Sequence, residues 1–151
     1  MNFNNLINDE NCVFLKSKTK TEAILELLEL VEKSGKVRQM ENLKKEIFYR
    51  EQIMSTGIGQ GIAIPHVRFE GVDSPMILAG LAPGGISDYD SIDDQMVKIV
   101  IMIIVGDEQH KEYLRILSLV VGKLKEKSFQ KNLLGAQNNE EIGAILKGEV
   151  K

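Results

Sequence analysis

The sequence predicts an α/β fold: a mixed β-sheet covered by helices in a single-domain sandwich. Three observations lead there. Residues 97–105 are apolar apart from Lys98 and rich in β-branched side chains, so they read as a strand buried on both faces, central in a sheet. Stretches with helical spacing lie on both sides of this strand in the chain. Between them, prolines and glycines divide the middle of the chain into short apolar runs.

The elements follow in order. Residues 12–15 (Cys12, Val13, Phe14, Leu15) form a short strand. Thr19 and Glu22 resemble a capping box. Ala23, Ile24, Leu27, Leu28, Leu30 and Val31 then recur at helical spacing, and Gly35 is the stop. A second helix spans residues 40–54, with Leu43, Ile47 and Ile53 or Met54 inward and Arg50 near its end. Ile62 to Ile64 read as a strand ended by Pro65. Another strand covers residues 76–82, bounded by Pro75 and by Pro83-Gly84-Gly85. After the central strand, Gly106-Asp107-Glu108 opens a long helix to residue 127 with the stripe Leu114, Leu117, Val120, Val121 and Leu124. Ser128 caps a short helix through Leu134, and Asn138 or Asn139 begins the last one, which Gly148 ends.

Composition sets bounds. The chain of 151 residues is 43% hydrophobic and 27% charged, as in an ordinary globular domain, and is read as one domain over residues 1–151. A net charge of -3 with scattered basic residues argues against nucleic acid as a partner. The single Cys12 lies in an apolar run and reads as a buried structural thiol. Residues 1–5 show neither a basic nor a long apolar leader segment. The longest apolar run, residues 99–105, is far below the roughly 20 residues of a membrane-crossing helix. The expectation is a cytoplasmic protein without direct membrane insertion.

The segment from Ser55 to His66 carries the chemistry. Gly57, Gly59 and Gly61 loosen the backbone, and Pro65 presents one imidazole, His66, at a strand end. Neutral imidazole is a good nucleophile near pH 7. Attack on a phosphoryl group requires donors around the equatorial oxygens. Backbone N–H groups at Gly57, Gly59 and Gly61 are candidates, with the hydroxyls of Ser55 and Thr56. The competing readings are a mere turn for the glycines and a histidine bonded only to backbone for His66. From the residues alone the two readings of His66 stand about even.

The pattern Gly61-x-Ala63-x-Pro65-His66 resembles the active-site motif of the fructose/mannitol-type IIA components of the bacterial phosphoenolpyruvate:sugar phosphotransferase system, which include the nitrogen-regulatory IIA proteins. The resemblance covers nearly the whole chain. It implies that His66 carries a phosphoryl group and that Arg50 is the active-site arginine. Guanidinium suits that role through bidentate donors to phosphoryl oxygens, while the plain alternative is a surface arginine paired with Glu46 or Glu51. The family's second histidine aligns with Tyr113 through the stretch Leu114 to Ser118, while His110 lies one turn earlier on the same face. His110 is the first choice for that role and Tyr113 the alternative. Asp93 is retained from a family turn in which Asp94 replaces a glycine and Met96 a proline. This departure reads as a changed turn and not a lost activity.

The implied function is a phosphotransferase component. His66 accepts a phosphoryl group from the histidine-containing phosphocarrier protein and passes it to a IIB component for sugar uptake. The alternative is a nitrogen-type regulatory protein whose phosphorylation state controls binding to a target. A weaker third reading is a binding domain that is never phosphorylated. No cofactor is implied. The histidines and carboxylates lack metal-ligand spacing, so no metal site is expected. No Walker A or kinase signature points to ATP as the phosphoryl source.

Overall fold

Strand β6 (Val97–Gly106) organises the molecule, for which a computed structural model describes residues 3–148. Met1 and Asn2, part of the stretch read for a leader segment, lie outside the described residues. On one side β6 pairs antiparallel with β5 (Met76–Ile86), and β5 pairs parallel with β1 (Cys12–Phe14). On its other side β6 pairs parallel with β3 (Ile62–Ala63) and, further along, with β4 (His66–Phe69). The edge strand β2 (Gly57–Gly59) pairs antiparallel with β3.

Alternation along β6 builds two cores, because successive side chains point to opposite faces. Ile99, Ile101, Ile103 and Val105 face a cluster with Tyr113, Ile116, Val120, Leu133 and Ile142. These come from α3 (His110–Leu124), α4 (Lys127–Leu134) and α5 (Asn139–Leu146). Val100, Met102 and Ile104 face Ala23, Ile24, Leu27, Leu28, Leu43 and Ile47 from α1 (Lys20–Ser34) and α2 (Met40–Ile53). The central strand expected from the sequence is therefore covered on both faces.

Local signals hold where side chains cap backbone. The Thr19 side chain accepts from the Glu22 N–H, and Gly35 closes α1 at φ 68°. The Asn138 side chain accepts from the Glu141 N–H at the start of α5. Cys12 is buried, and desolvation pushes its thiol up to about 12, which suppresses the reactive thiolate.

Several expectations are corrected. Ile53 and Met54 point outward, at 66% and 75% exposure. Strand β5 runs through Pro83-Gly84-Gly85 to Ile86 with a register shift, because Pro83 and Gly84 face solvent. On α3, Leu114 is exposed, and Tyr113 and Ile116 take the inward places. That helix begins at His110 and ends at Leu124, so both ends are shorter than expected. Glu126, not Ser128, occupies the N-cap position of α4. Two 3₁₀ turns, Phe3–Leu6 and Asp9–Asn11, carry no signal that periodicity detects.

Candidate active site

Strand pairing pauses at Ile64 and Pro65 and resumes at His66. Pro65 has no N–H to donate, and its carbonyl accepts from the Ile103 N–H at 2.9 Å. The Ile64 N–H donates to the Thr56 carbonyl at 3.0 Å. His66 thus begins a strand; it does not end one. The Ile64 carbonyl lies 2.6 Å from Nδ1 of the His66 ring. A carbonyl only accepts, so Nδ1 carries the proton. In the neutral ring Nε2 then holds the lone pair.

Strand geometry decides what surrounds that nitrogen. Ile62 and Ile64 face the α3 side, whereas Ala63 and Val67 face the α1–α2 side. His66 and Arg68 continue the first set, since side chains two apart share a face. The Tyr113 ring of α3 packs there, 5.7 Å from the His66 ring between centroids. The Arg68 guanidinium carbon lies 5.9 Å from the same Tyr113 centroid. Burial raises the Tyr113 hydroxyl above its ordinary pKa, while the charges of Arg50 and Arg68 pull it down. The exposed Arg50, near the end of α2, is therefore close enough for its charge to act on the same hydroxyl. His110 is exposed, and its Nδ1 lies 3.0 Å from Nη1 of Arg68. The fold thus gathers Arg50, His66, Arg68, His110 and Tyr113 from three elements.

In the loop expected to bind the phosphoryl group, hydroxyls and glycines already serve the fold. Ser55 Oγ donates to the Asp90 carbonyl at 2.6 Å. Thr56 Oγ1 donates to the Glu51 carboxylate at 2.5 Å and stands 2.7 Å from the Tyr89 hydroxyl. Both hydroxyl protons are thus already spent. Gly57 approaches Asp90 so closely that a Cβ would lie 2.2 Å from its carbonyl oxygen. Gly59 and Gly61, at φ 98° and 79°, flank the β2–β3 turn. The Gly61 carbonyl accepts from Lys98 and Ile99, whereas His66 stands opposite Ile103. That separation is about 13 Å at roughly 3.3 Å per strand residue. The glycines build a hairpin, and Asp93 clamps it by accepting from the Gln60 N–H at 2.8 Å. Asp94 adopts φ 59° where the resemblance has glycine, a conformation that aspartate tolerates better than most residues.

Beneath the site Glu51 is buried, at 6% exposure. It pairs with Lys20 at 3.1 Å and also accepts from the Thr56 N–H at 3.2 Å. Burial also raises the Tyr89 phenol well above its ordinary range, so it stays neutral and can donate to Thr56. This network ties the end of α2 to the start of the hairpin and so fixes where Arg50 leaves the helix. Glu51→Ala is expected to cost about 3 kcal/mol in urea unfolding, because Lys20 and Thr56 lose their buried partner.

The family model described as the phosphoenolpyruvate-dependent sugar phosphotransferase system, EIIA 2, matches residues 6–149. The chain belongs to this family. The fructose-specific EIIABC component from Bacillus subtilis is 35% identical over 132 residues, covering 87% of this chain. The chain spans 21%, about a fifth, of that relative's length. The crystal structure of nitrogen regulatory protein IIA-Ntr from Neisseria meningitidis matches with a TM-score of 0.86 at 27% identity, covering 95% of this chain and 97% of that one. The NMR structure of Escherichia coli enzyme IIA mannitol in complex with phosphorylated enzyme IIB mannitol matches with a TM-score of 0.76 at 25% identity, covering 93% and 96%.

In this EIIA chain Arg68 stands beside the site without being among the residues expected from the sequence. The available signal was its place two residues after His66 on a strand, but that strand was not recognised. Tyr49, Ile53 and Met54, near Arg50 in sequence, and Leu114, next to Tyr113, are exposed apolar side chains. Among the described residues, no helix is long and apolar enough to cross a membrane.

Proposed function

We propose that this chain is a phosphoryl carrier and that Nε2 of His66 is the atom that takes the group. The observation that carries this reading is the 2.6 Å contact between Nδ1 and the Ile64 carbonyl, which leaves the Nε2 lone pair for attack. The donor is the phosphohistidine of the histidine-containing phosphocarrier protein. The Nε2 lone pair forms a bond to phosphorus as the bond from phosphorus to the donor nitrogen breaks. The electron pair of that bond leaves with the donor ring. No proton has to move: Nδ1–H stays on the Ile64 carbonyl, which stabilises the positive charge the ring acquires. Arg50 supplies charge-assisted donors to the equatorial oxygens.

The acceptor is a IIB component. The complex of enzyme IIA mannitol with phosphorylated enzyme IIB mannitol supports this choice. A second reading, control of a target protein by the phosphorylation state of His66, is favoured by the similarity to IIA-Ntr. The two are separated by a relay: phosphoenolpyruvate, enzyme I and the phosphocarrier protein charge the chain, and purified IIB domains are then added. Loss of label from this chain with gain on a IIB domain is the expected result. A chain that charges but discharges to no IIB domain is regulatory, and a chain that never charges is neither.

A further inference from the structure

We propose that Arg68 is a second guanidinium for the transferring phosphoryl group and that His110 acts as its tether. This rests on the reading of His66 as the phosphorylated residue. The first support is placement. His66 and Arg68 leave the same face of β4 and flank a single ring, Tyr113, at 5.7 and 5.9 Å.

The second support is the charge census. Arg38 pairs with Asp73 at 2.9 Å, and Arg115 pairs with Glu112 at 3.8 Å. The chain's other two arginines, Arg50 and Arg68, pair with no carboxylate among the described residues. Both exert their charge on the Tyr113 hydroxyl. Two uncompensated guanidiniums, Arg68 against the Tyr113 ring and Arg50 near enough for its charge to reach the Tyr113 hydroxyl, suit an incoming dianion, whose charge lies on the equatorial oxygens.

The third support is the nature of the partner. Arg68 Nη1 lies 3.0 Å from His110 Nδ1. Guanidinium cannot accept, so Arg68 donates and His110 offers its lone pair. A neutral acceptor fixes the guanidinium without cancelling its charge, as a carboxylate would. Arginine has five N–H donors. One serves His110, and the others remain for phosphoryl oxygens at Nε2 of His66. His110, exposed at the first turn of α3, thereby acts through Arg68 as a positioning residue.

The test is single-turnover transfer from the phosphorylated phosphocarrier protein to His66, with circular dichroism confirming the fold of each variant. Arg68→Ala is expected to slow transfer about 10²-fold, the typical loss for one preorganised charge-stabilising donor. Arg68→Lys should recover only part, because a point charge lacks the planar fork. His110→Ala is expected to slow transfer about tenfold in the wild-type background and not at all in the Arg68→Ala background. His110→Gln, which keeps an acceptor, should restore most of the rate. Wild-type speed in Arg68→Ala overturns the proposal. So does an equal loss from His110→Ala in both backgrounds, which would give His110 a direct role. Absence of label on His66 in the wild type would sink the underlying reading before any variant is compared.

Discussion

His66→Ala is expected to take no phosphoryl group from the phosphocarrier protein and to remain folded. The variant loses the Nε2 nucleophile, and no other described imidazole stands in its place, since His110 spends its Nδ1 lone pair on Arg68. The structural cost is small: one hydrogen bond to the Ile64 carbonyl and one ring contact with Tyr113. A typical hydrogen bond contributes about 1 kcal/mol net. Val67 and Ile64, which anchor this part of the sheet in the two cores, are untouched. Radiolabel on intact protein, followed with far-ultraviolet circular dichroism, separates lost chemistry from lost fold. A fully labelled His66→Ala would mean that the acceptor lies elsewhere.

Arg50→Ala is expected to transfer about 10²–10³ times more slowly than wild type, the usual cost of one electrostatic contact to a developing charge. Its side chain is exposed and pairs with no carboxylate among the described residues, so its removal leaves packing intact. Arg50→Lys recovers part of the rate, because the ammonium keeps the charge but not the bidentate geometry. Glu51, next to Arg50 in sequence, is engaged by Lys20 and Thr56 and not by Arg50. A single-turnover rate equal to wild type would make Arg50 an ordinary surface residue.

What the sequence made legible follows physical rules. Strand β6 stood out because burial on both faces leaves an unbroken apolar run, and α1 because its cap, stripe and stop agree. Strand β4 was hidden because it spans only His66–Phe69 and two of its four side chains, His66 and Arg68, are polar. Missing β4 meant missing Arg68. The glycine trio was harder to read, because glycine signals an unusual backbone without saying why. Here the reasons are a hairpin turn and the close approach of Asp90. Tyr113 aligned with the family's second histidine, and His110 matched it by residue type. The geometry separates them: Tyr113 touches the His66 ring, and His110 reaches Arg68.

The central claim is that the phosphoryl group sits on Nε2 of His66. The most direct measurement is nuclear magnetic resonance of the charged protein with ¹⁵N-labelled histidine, reading the nitrogen–phosphorus coupling. The account predicts coupling to Nε2 of His66, with the proton retained on Nδ1 against the Ile64 carbonyl. Coupling to Nδ1, or to a nitrogen of His110, would contradict it.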